Sequence, residues 1–102
     1  MNAAIGLLCL PLVDDVDAAE TKLHRLACGE NRRLIETIRY QPGDDWLTRL
    51  AKMVKASYAL TVVVLDEAHC AGEEAAVTAL GVTIATPDRT LTYLSVRGGF
   101  RS

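Results

Sequence analysis

Apolar runs alternate along this chain with segments in which apolar residues recur every three or four positions, and the alternation reads β-α-β-α-β-α-β followed by a final extended stretch. That order implies βαβ units: a single small α/β domain with a mainly parallel sheet of four to five strands and helices on both faces. Ile5 to Leu10 and Leu60 to Leu65 hold almost no polar residue, as expected of strands covered on both sides. Thr61-Val62-Val63-Val64-Leu65 is nearly all β-branched and is the best candidate for a central strand.

The pattern also predicts where the helices begin and end. The first starts within Asp14-Asp15-Val16-Asp17, whose carboxylates can cap free N–H groups, and stops at Gly29, expected in the left-handed conformation. Val16, Ala19, Leu23 and Leu26 form its apolar stripe. Arg33 to Tyr40 reads as a second strand, and Glu36 and Arg39 within it point to a sheet edge or an exposed face. Gln41-Pro42-Gly43 makes a turn, and Asp44 or Asp45 caps a second helix running to Ser57, with Trp46, Leu47, Leu50, Met53 and Val54 facing the core. A third, short helix over Glu73 to Leu80 ends at Gly81, and Val82 to Ala85 is the next strand. Thr90 to Val96 alternates as a terminal edge strand would, with a frayed tail from about residue 97.

Composition narrows the classes. The chain has 102 residues, 50% hydrophobic and 24% charged, enough for one core that folds without a metal or disulfide. A net charge of −2 argues against a protein whose main task is to coat phosphate backbones. Cys9, Cys28 and Cys70 are odd in number, widely spaced and without CxxC, which fits a reducing, cytoplasmic setting better than a secreted framework. The apolar run from Ala3 to Val13 is preceded by no Lys or Arg and is too short to span a bilayer, so it reads as a buried strand and no membrane association is expected.

Several residues could carry chemistry. Asp66-Glu67-Ala68-His69 spells a helicase nucleotide-hydrolysis tetrapeptide at the end of an apolar strand, but there is no GxxxxGK[ST] loop to hold a nucleotide. Position matters more, because ligands of parallel α/β sheets gather outside the carboxyl ends of the strands. Asp14, Asp66, Glu67, His69 and Cys70 are therefore the candidates for a ligand rim, together with the rest of the stretch from Leu12 to Asp15 and the stretch from Thr86 to Arg89. His24 and Cys28, four apart, could join His69 and Cys70 around zinc, but the spacing is not distinctive and neither a metal nor another cofactor is expected. Carboxylates flanking Cys70 would raise its pKa, which argues against a nucleophilic thiol. Arg49, Lys52 and Lys55 line the polar side of the second helix, a basic face suited to weak contact with nucleic acid or an acidic partner.

The element order, with Val62-Val63-Val64-Leu65-Asp66 followed by a loop, a short helix and Leu80-Gly81-Val82-Thr83-Ile84, resembles the N-terminal catalytic domain of serine recombinases, the resolvase/invertase family. The resemblance covers about residues 3 to 95 and stops short of the long helix and helix-turn-helix domain that follow in that family. It implies a mainly parallel sheet with the first strand between the second and third. It also implies a serine nucleophile after the first strand and arginines that stabilise charge on a DNA phosphate. Here Leu10-Pro11-Leu12-Val13-Asp14 holds neither serine nor arginine, and the first serine is Ser57. Where the family has Asp-Arg-x-x-Arg, this chain keeps Asp66 but has Glu67 and Cys70 at the arginine positions. The expectation is a pseudoenzyme: a resolvase-like fold without the reaction, acting through protein contacts as an accessory or regulatory factor or as a homodimer. The competing expectation is a module that binds a small ligand or nucleic acid through the rim and the basic face.

Overall fold

The structure is a computed structural model and describes residues 2–92. Five strands form one sheet in the order β2-β1-β3-β4-β5. They are β1 (Asn2–Cys9), β2 (Arg32–Tyr40), β3 (Thr61–Val63), β4 (Thr83–Ala85) and β5 (Thr90–Leu91). The first four run parallel and β5 is antiparallel to β4, so the sheet is mixed at one edge. The helices are α1 (Val16–Gly29), α2 (Trp46–Ser57) and α3 (Glu74–Thr78), and 3-10 turns follow β1 (Leu10–Leu12) and β3 (Glu67–Cys70).

Strand order dictates which face each helix covers. The chain steps from β1 to β2 in one direction, then passes back over β1 to β3 and on to β4. With right-handed crossovers, α1 must lie on one face and α2 and α3 on the other. The core divides accordingly. Ala4 and Leu8 of β1 pack with Ala19, Leu23 and Ala27 of α1. Ile5, Leu7 and Cys9 pack with Trp46 and Leu50 of α2 and Val77 of α3. This two-sided burial is why the first strand shows no polar alternation. Gly6 lies on the α1 face, where an added Cβ would come within 2.8 Å of Thr37 Oγ1 and 3.0 Å of Leu23 Cδ1. Its bare backbone lets the helix approach.

The helix caps follow from local chemistry. Asp15 accepts from Ala18 N–H at 3.1 Å at the start of α1, and Asp45 accepts from Thr48 N–H at 3.3 Å at the start of α2. Asp44 instead accepts from Gln41 N–H at 2.9 Å and closes the turn before the helix. The end of α1 departs from expectation. Gly29 is still helical, and the left-handed residue is Asn31 at φ 59°. Asparagine tolerates that region better than most side chains, so the chain turns two residues later than a glycine rule suggests. Gly81, at φ +88°, does take the left-handed conformation before β4.

Two expected elements are shorter than their apolar runs. β3 ends at Val63 although Val64 and Leu65 continue the pattern, and α3 covers only Glu74–Thr78. Val64 is buried and its N–H donates to Ala85 O at 3.0 Å, so it still packs as core after leaving the ladder. The predicted strand over Thr90 to Val96 is seen as Thr90–Leu91, and both its remainder from residue 93 and the tail lie outside the described residues.

β2 is an edge strand, as its charges suggest, and it carries an irregularity. Ala4 stands opposite Leu34 but Ile5 stands opposite Glu36, which makes Ile35 an extra residue bulged out of the β1–β2 ladder.

Candidate functional site

The connection after β1 leads to one side of the sheet and the connection after β3 to the other, so the topological switch point lies between their carboxyl ends. On the α1 side of that point is a cleft of about 270 Å³. Leu12, Val13, Ala18 and Leu65 supply apolar wall, and Asp14, Asp15 and Lys22 supply charge. The part of the predicted rim after β1, Asp14 with its neighbours Leu12, Val13 and Asp15, thus lines this cleft. Asp15 is committed to capping α1.

The other four rim candidates lie in the Asp66–Cys70 segment after β3, and the structure assigns them structural contacts. Asp66 caps the 3-10 turn, its Oδ1 accepting from Ala68 N–H at 2.8 Å. Glu67 takes both Nε (3.0 Å) and an Nη nitrogen (2.5 Å) of Arg89, tying this turn to the β4–β5 hairpin. Within that hairpin Thr86 donates to Arg89 O at 2.9 Å and accepts from Arg89 N–H at 3.0 Å.

His69 and Cys70 are not on the rim. Both are turned into the α2-side interior, 3% and 0% exposed. His69 Nδ1 accepts the backbone N–H of Cys9 at 2.9 Å, so the neutral ring carries its proton on Nε2. The Tyr40 hydroxyl donates to the backbone carbonyl of His69. One residue of the turn thus joins the carboxyl ends of β1 and β2. Tyr40 is itself stacked on Trp46, with ring centroids 5.1 Å apart, which couples the cluster to the first turn of α2.

The protonation equilibria follow burial. Desolvation holds the His69 pKa below the usual histidine value, with Asp66 opposing it. Burial, and secondarily Glu74 and Glu67, pushes the Cys70 thiol up to about 12. The expected direction is therefore found, with burial ahead of the neighbouring carboxylates as its cause. Burial and the adjoining Cys9 thiol likewise raise the Tyr40 hydroxyl.

The remaining candidates are dispersed. His24 and Cys28 lie exposed on α1, across the sheet from His69 and Cys70, so the four do not converge. Among the described residues no three His, Cys, Asp or Glu side chains are grouped to hold a metal ion. Arg49, Lys52 and Lys55 are all exposed on α2, and none forms an ion pair among the described residues. Arg39 of β2 is held by Glu20 of α1. No described helix is long and apolar enough to cross a membrane.

Sequence reasoning missed Tyr40 and Cys9 as members of this cluster. The available signal was position: both are the last residues of their strands and stand opposite each other in register. Comparison of the chain with known protein families, with curated proteins and with solved structures finds no match.

Proposed function

We propose that this domain is non-catalytic and recombinase-like, acting through protein contacts in the cytoplasm as an accessory or regulatory factor or by self-association. The observation that carries the reading is the fate of the most reactive residue types. His69 and Cys70 are buried at the switch point, with the imidazole Nδ1 taken by Cys9 N–H and the thiol pKa pushed up to about 12. A general base needs an open lone pair and a nucleophile needs thiolate, and these contacts withhold both. Support for the recombinase-like part is the position of β1 between β2 and β3. Flavodoxin-like sheets share that order, so it speaks to fold class more than to descent.

A second reading has its own observations: the 270 Å³ cleft at the switch point and the exposed cations of α2 favour a module for small ligands or nucleic acid. Purification of the tagged chain from its native cells, with and without nuclease and across a salt series, separates the two. Specific proteins retained after nuclease and high salt support the first reading. Binding that is lost with nuclease, or that falls steeply with salt, supports the second.

A further inference from the structure

The geometry points to the β2 edge as a self-complementary interface that pairs antiparallel, about a two-fold axis, with β2 of a second copy of this chain. This rests on the reading of the domain as self-associating and specifies the surface that does it.

β2 is a nine-residue strand at the open edge of the sheet, a length that offers a row of backbone donors and acceptors to another strand. Its bulge decides what such a strand meets. Arg33 stands opposite Ala3, which packs into the α2-side core, and Glu36 stands opposite Ile5, which belongs to the same core. Arg33 and Glu36 therefore share the α2 face although they are three apart, a spacing that places residues on opposite faces of a regular strand. Arg32 and Thr37 share the α1 face by the same shift, standing opposite Asn2 and Gly6.

Antiparallel pairing about a two-fold axis requires that residues brought opposite each other share a face. A register centred between Leu34 and Ile35 meets this requirement. It sets Arg33 against Glu36 of the second copy, Glu36 against its Arg33, and Arg32 against its Thr37. Arg33 and Glu36 are exposed and neither has an ion pair among the described residues, whereas Arg39 is already held by Glu20. The register centred on Glu36 sets that carboxylate against itself, whereas the register centred between Leu34 and Ile35 gains two opposite-charge pairs, which favours it. Ile35, 39% exposed at the bulge, comes beside the axis, where Leu34 of the second copy stands opposite and can cover it.

The test is sedimentation equilibrium over a concentration series, with Arg33→Glu, Glu36→Arg and the double exchange R33E/E36R. The wild-type chain is expected to dimerise. Each single change, which makes like charges face each other twice, should weaken the dimer by about tenfold or more. The double exchange should restore it. A wild-type chain that stays monomeric, a dimer indifferent to the single changes, or a double exchange that fails to recover overturns the proposal. Amide hydrogen exchange of the wild-type chain adds a readout independent of the variants: protection of residues 32–40 should rise with protein concentration, and constant protection overturns it. A monomer that still retains a specific protein through nuclease and high salt leaves the broader functional reading standing.

Discussion

His69 Nδ1 receives the backbone N–H of Cys9 across sixty positions of sequence, at 2.9 Å and out of contact with water. The bond needs a neutral imidazole. Protonation would place a donor against a donor and a charge inside an apolar cluster.

Stability should therefore depend on pH through this residue. The folded-state pKa of His69 is depressed, so the stabilisation is complete above the unfolded-state value near 6.5 and is lost as pH falls from there through the folded value. Urea unfolding at a series of pH values should show the free energy declining below about pH 6.5, and His69→Phe should flatten that decline. The substitution should itself cost about 2 kcal/mol at neutral pH, because Cys9 N–H loses its acceptor.

Tyr40→Phe removes the hydroxyl that binds the His69 carbonyl and leaves the stacked ring in place. A loss of about 1–2 kcal/mol in urea unfolding is expected, with an unchanged denaturant slope.

Gly6→Ala should destabilise by about 1–3 kcal/mol, since the new methyl meets Thr37 Oγ1 and Leu23. Thr37→Ala removes the nearer obstacle, so the double variant should lose less than the sum of the two single changes. Thermal unfolding of the four proteins in this cycle measures the coupling directly.

Thiol labelling should distinguish the three cysteines. Cys28 is exposed, whereas Cys9 and Cys70 are buried. At about pH 8 a thiol titrating near 12 is thiolate in only roughly one molecule in ten thousand. An aromatic disulfide reagent should consume one equivalent rapidly in the native protein and all three in denaturant, and two fast thiols in the native state would contradict the packing.

Much of this architecture was legible because it depends on local pattern. The unalternating run through Leu7 and Leu8 announces a strand covered on both faces, and Asp45 ahead of Trp46 announces a cap. Glu36 and Arg39 in β2 announce an edge or an exposed face, and the sheet order shows the edge. The features that escaped depend on what meets across the sheet. Nothing near His69 in sequence says that it turns inward, because its partner lies in β1 and the carbonyl's donor in β2. The bulge at Ile35 is a property of the pairing with β1, and β2 alone reads as an ordinary strand. Asn31 took the turn assigned to Gly29 although propensity favours glycine, because α1 continues through Gly29 and the chain reverses only after it.

The strand order has a bearing on how the protein is made. β1 is synthesised before the other described strands, yet it becomes an interior strand flanked by β2 and β3. Ribosomes add about 5–20 residues per second, so from the completion of Cys9 to that of Val63 the nascent chain waits roughly 3–11 s. For that time one flank of a strand containing Ile5, Leu7 and Leu8 has no neighbour. Translation speed through α2 therefore sets how long that flank stays uncovered during synthesis, a determinant of yield separate from the equilibrium stability of the finished domain.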